Sequence, residues 1–102
     1  MKMSGWNEKR VETCLLKLSG FLRLENHIIR SYPKNPKKGT DVADRFKKDV
    51  FPEIVSDVVD SISAKILCGD AVDENVVIRE ITHRLNTELV RLGVAMMPYM
   101  SQ

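Results

Sequence analysis

The sequence has little of what usually marks a chemical site. It contains only two cysteines, Cys14 and Cys68, and only two histidines, His27 and His83. The cysteines sit inside apolar helical patterns with no CxxC or Cys/His spacing, which supports neither a zinc site nor a disulfide framework. Both are expected to be buried thiols in a reducing cytoplasm. A hydrolase needs a nucleophile beside a base, yet His27 and His83 fall within helical stretches among ordinary polar neighbours, where structural or solvent-facing roles are expected. The five glycines, Gly5, Gly20, Gly39, Gly69 and Gly93, never cluster into a phosphate-cradling loop and read as breaks and caps. The acids Asp70, Asp73 and Glu74 lack the alternating oxygen ligands and central glycine of a calcium loop, so helix capping accounts for them. The expectation is a protein that is not an enzyme and that needs neither a cofactor nor a metal.

Long hydrophobic runs are also missing. No stretch approaches the roughly 20 apolar residues that span a bilayer, and the N-terminus lacks the apolar core of a signal peptide. A cytoplasmic location without a membrane partner is the corresponding expectation.

What the chain does have is a globular balance, 43% hydrophobic and 29% charged over 102 residues, far from the composition of disorder. That length makes one domain, 1–102, and at this size a core shared with a second copy would add stability. The net charge is only +2, but its distribution is uneven. Residues 1–48 carry 12 Lys or Arg against 5 acids, a net of +7, whereas residues 49–102 carry 4 bases against 9 acids, a net of −5. Opposite halves of this kind can neutralise each other within the chain, attract a second copy, or offer a basic face to an acidic partner.

Apolar periodicity predicts an all-α fold, three to four amphipathic helices in one small bundle-like dimeric domain. Val11, Leu15, Leu18 and Leu22 recur at helical spacing, widened by Cys14, Phe21 and Ile28, which predicts one long helix from Trp6 to Ile29 capped by Ser4. Gly20 within it suggests a close helix crossing or a slight bend. The segment 31–40, SYPKNPKKGT, has two prolines, a glycine and three lysines without apolar periodicity, and reads as an exposed basic loop. Thr40 or Asp41 can cap a short helix through Phe51, after which Pro52 either opens a new helix or kinks a continuous one. Ile54, Val55, Val58, Ile62 and Ile66 form the next buried stripe, closed by Gly69 as a left-handed cap. Asp70 or Asp73 then caps a last helix to about Leu92, with Val77 or Ile78, Ile81, Leu85, Leu89 and Leu92 on one side. Residues 94–102, with Met96, Met97, Tyr99 and Met100, form an apolar tail suited to packing in the core, to a dimer or to an adaptable docking strip.

Three sets of residues follow as candidates. Leu15, Leu18, Leu22, Ile62, Ile66, Ile81, Leu85 and Leu89 are the stripes that would build the core and a homodimer interface. Arg30, Lys34, Lys37, Lys38, Arg45, Lys47 and Lys48 cluster positive charge where nucleic acid could bind, with Tyr32 beside them. Gly69 and Asp70 or Asp73 lie at the joint between the last two helices. Those helices have the length of a DNA-binding helix-turn-helix, but residues 73–92 carry a net charge of −1, which opposes phosphate attraction.

The stretch Ile66 to Ile78, followed by Ile81, His83 and Leu85, resembles the joint of the small enterobacterial biofilm and acid-resistance regulators, the AriR-like connector proteins. That family reads leucine, small residue, Gly-Asp, any residue, Val, two polar residues and an Ile-rich helix, and the likeness covers roughly a quarter of the chain. The sequence departs from it at Cys68, Asp73, Glu74 and Asn86 and in its basic N-terminal half. The resemblance implies an all-helical homodimer that modulates bacterial regulation through protein contacts, with Gly69, Asp70, Val72 and Ile78 as structural positions that shape the joint. The leading expectation is therefore a helical regulator or adaptor that pairs with itself and with another protein. A nucleic-acid binder using residues 30–48 is the alternative, as is a small inhibitor or chaperone from a mobile element or secretion system.

Overall fold

The structure is a computed structural model in which residues 5–97 are described. All regular structure among them is helical: α1 (Glu8–Phe21), α2 (Leu24–Arg30), α3 (Pro36–Arg45), a π-helical turn (Phe46–Val50), α4 (Phe51–Leu67) and α5 (Glu74–Arg91). Because α3, the π turn and α4 follow one another with helical dihedrals throughout, the chain forms four rods. The class and the number of helices are those that the periodicity predicts.

The first predicted helix is broken. Arg23 adopts the left-handed conformation at φ 54°, the only described non-glycine residue to do so. Its N–H reaches the Gly20 carbonyl at 3.2 Å, closing α1 before α2 begins at Leu24. A left-handed arginine costs about 1 kcal/mol or more. In return the turn places Leu24 and Ile28 in the core, 2% and 1% exposed. Gly20 marks no close crossing, since a Cβ there would meet nothing within 4 Å. The cap of α1 is Asn7, whose side chain accepts from the Arg10 N–H at 2.9 Å, while Ser4 lies outside the described residues.

The predicted loop 31–40 is also shorter than its composition suggests. Only Ser31 to Asn35 turn, because Asn35 accepts from the Lys38 N–H and Pro36 occupies the first helical position, where its missing N–H costs nothing. Neither Thr40 nor Asp41 caps this helix. Gly39 and Ala43, one turn apart and both buried, let α2 lie close: a Cβ on Gly39 would stand 2.9 Å from the Ile29 Cα.

Pro52 does not start a separate helix. Lacking an N–H, it cannot bond the carbonyl four residues back, and its ring crowds that carbonyl. The chain widens just upstream, where the Phe51 N–H reaches the Phe46 carbonyl five residues away. The result is one rod of 32 residues from Pro36 to Leu67, about 48 Å long. It spans almost the whole 51 Å length of the molecule.

α4 and α5 form an antiparallel hairpin. Asp57 meets Arg84 at 3.5 Å, and further along Ser61 and Lys65 meet Glu80 at 3.2 and 3.9 Å. Gly69 at φ +88° makes the turn, with its N–H on the Ile66 carbonyl and the Asp70 N–H on that of Lys65, and Asp73 caps α5 by accepting from the Val76 N–H. Val11, Leu15, Val58, Val77, Ile81, Leu85 and Leu89 are sealed from solvent between α1, α4 and α5. Burying each side chain of this kind contributes about 1.5–3 kcal/mol. No helix among the described residues is long and apolar enough to cross a membrane.

Candidate functional site

The predicted core stripes are brought together inside a single chain. Leu15, Ile62, Ile81, Leu85 and Leu89 are buried in its own core, and Leu18, Leu22 and Ile66 pack partly buried at the margin. Phe21 and Leu92, placed in stripes by the periodicity, instead stand 76% and 41% exposed. Phe21 lies at the end of α1, just before the Arg23 turn redirects the chain, and Leu92 lies beyond the last turn of α5.

At the joint, Gly69 and Asp70 are exposed while Val72 and Ile78 are half-buried. Val72 packs against the core, and Ile78 lines a groove of about 220 Å³ together with Cys14, Leu18, Phe21 and Glu74. The antiparallel hairpin is not the steep crossing of a DNA-reading helix-turn-helix. Two of the three arginines of α5 are also engaged, Arg84 with Asp57 and Arg91 with Glu88.

All seven predicted basic residues are exposed, but they do not form one site. Arg30, Lys34, Lys37 and Lys38 surround the tip of the α2–α3 hairpin, whereas Arg45, Lys47 and Lys48 lie further down the rod. Lys47 is paired with Glu25 at 3.1 Å, and Asp41 and Asp44 separate the two groups. Tyr32 is half-buried with the Lys38 ammonium 5.8 Å from its ring centre, so its face is already occupied.

Cysteine placement corrects the expectation that both thiols are buried. Cys68, in the C-cap of α4, is exposed, and Cys14 is half-buried. Burial pushes the Cys14 thiol above its ordinary pKa, Glu74 pushes the same way, and Arg10 and Lys17 only partly oppose them. Among the described residues no group of three or more His, Cys, Asp or Glu could hold a metal ion.

The tail is tethered. Val94 and Met97 are buried, and the buried Asn86 accepts from the Met97 N–H at 3.1 Å. Met96 is 48% exposed, while Tyr99 and Met100 lie outside the described residues.

Sequence periodicity did not reveal an open groove of about 380 Å³ between the α1–α2 break and the π turn. Leu24, Ile28, Ala43 and Phe51 form its apolar floor, Leu16 its exposed wall, and Arg23, Glu25 and Lys47 part of its rim. It exists because Arg23 bends the chain there, and no sequence signal announces a left-handed arginine. No family, curated protein or solved structure matches the chain.

Proposed function

We propose that this protein is a non-enzymatic helical adaptor that acts in bacterial regulation by binding another protein, working as a pair of copies. The carrying observation is the groove beside α1. Its apolar floor and the half-exposed Leu16 suit an apolar side chain of a partner, and the ionic rim would orient it. Leu67, Val90 and Met96, also exposed, add apolar surface elsewhere. Function in the cytoplasm and the likeness of the joint to AriR-like connectors belong to the same reading.

The test is light-scattering mass after size exclusion at low and high salt, with the absorbance ratio reporting bound nucleic acid. A protein-only dimer supports the reading. A second reading rests on one observation: residues 30–40 carry four bases and no acid, a charge pattern that suits phosphates. Protein that retains nucleic acid at low salt, and loses it when Lys34, Lys37 and Lys38 are changed to Glu, would put that reading first. Stoichiometric recovery with one large host protein would instead mark an inhibitor or chaperone.

A further inference from the structure

The two tips of the long rod carry opposite charge. At the Pro36 end, Arg30, Lys34, Lys37 and Lys38 are exposed, and no acid lies among residues 30–40. At the Leu67 end, Asp70, Asp73 and Glu74 are exposed, and no base lies among residues 68–75. None of these seven side chains forms an ion pair within the chain among the described residues; the four pairs present involve other groups. The rod between the tips is continuous and about 48 Å long, so the tips cannot reach each other within one molecule. The two tips therefore do not neutralise each other within one chain, although Lys17 of α1 lines the same groove as Glu74.

We infer that the pairing surface is this rod, and that its occupant is a second copy lying antiparallel, each basic tip on the other's acidic joint. The inference rests on the dimeric reading above and supplies its interface. An antiparallel pair neutralises both ends at once and closes on a two-fold axis, whereas a head-to-tail contact would leave free ends and grow. Apolar surface is present at the same places. Leu67 is 78% exposed beside the acidic joint, where the methylene stem of a partner lysine can cover it while the ammonium reaches Asp70. Pro33 and Pro36 stand exposed at the basic tip.

Exposed ion pairs are individually weak and screened by salt. The dimer should therefore dissociate readily, its affinity falling about tenfold or more from low to high salt. A charge swap tests the arrangement. One variant combines Lys34→Glu, Lys37→Glu and Lys38→Glu; the other combines Asp70→Lys and Glu74→Lys and keeps the Asp73 cap. Circular dichroism first confirms that each is folded. Each alone should be monomeric, because both of its ends then carry the same sign. An equimolar mixture should recover the dimer, since each basic tip again faces an acidic one. If both variants still dimerise, the interface lies elsewhere and only the dimeric reading survives. If the wild type is a monomer at every salt concentration, or a chain whose mass keeps growing, the closed pair is wrong.

Discussion

The Nε2 of His27 lies 2.6 Å from the carbonyl oxygen of Ala95, 68 residues further along the chain. A carbonyl only accepts, so Nε2 carries the proton and donates it. Together with the Asn86 side chain on the Met97 N–H, this bond holds the segment after α5 against α2 and the core.

Removing either partner should release the tail before it unfolds the domain. His27→Ala should cost about 0.5–1.5 kcal/mol and speed amide exchange at Ala95–Met97 while exchange in α4 stays slow. Asn86→Leu should cost more, about 1–3 kcal/mol, because it leaves the buried N–H of Met97 unsatisfied. Exchange rates unchanged in either variant would show that the tail is held by Val94 and Met97 packing alone.

Two glycine replacements should act in opposite directions. Gly20 is exposed, helical and clear of neighbours, so Gly20→Ala should stabilise by up to about 1 kcal/mol. Gly39→Ala places a methyl 2.9 Å from the Ile29 Cα and 3.0 Å from its carbonyl oxygen. Backbone cannot swing aside as a side-chain tip can, so α2 must separate from α3 and stability should fall despite better helix propensity. Urea midpoints compare the two directly.

Leu85 is sealed from solvent in α5. Leu85→Ala should cost about 2–5 kcal/mol, and Leu85→Asp should unfold the domain, because it buries an unpaired carboxylate. A native circular dichroism spectrum and unchanged melting of Leu85→Asp would overturn the assignment of that face to the core.

The cysteines should differ in reactivity. Exposed Cys68 should alkylate first, with half-buried Cys14 lagging as its thiolate is disfavoured by burial and Glu74. Because folding raises the Cys14 pKa, its stabilising contribution is complete below the ordinary thiol value and is lost as pH rises through the raised one. Labelling followed by mass spectrometry of the digested protein separates the two sites, and Glu74→Gln should shorten the lag.

Regular periodicity made the α4 and α5 stripes, the Gly69 turn and the Asp73 cap legible in the sequence. It failed where one residue overrides a pattern. Val11 to Ile28 keeps helical spacing across a break, because Arg23 turns the chain without disturbing which residues are apolar. In segment 31–40 the prolines and lysines carry the composition of a loop, yet Asn35-Pro36 is a helix start and Gly39 a packing position. The basic residues were legible as a list but not as two separated groups, since that depends on the rod continuing through Pro52. Of the surfaces, the basic cluster could be read from the sequence, whereas the acidic tip at the far end of the rod and the groove at Arg23 could not.

The π turn also counts residues. It holds one residue more than an α-helical turn would, so deleting a single residue between Arg45 and Phe51 would restore plain α-helix and leave the two ends of the rod facing nearly as they do now, whereas a deletion elsewhere in the rod would rotate one end by about 100°. The basic tip and Gly39 would keep their places after the deletion within the π turn, with α2 still against Ala95. That five-residue segment is therefore where the rod tolerates a change of one residue in length without turning one end of the molecule relative to the other.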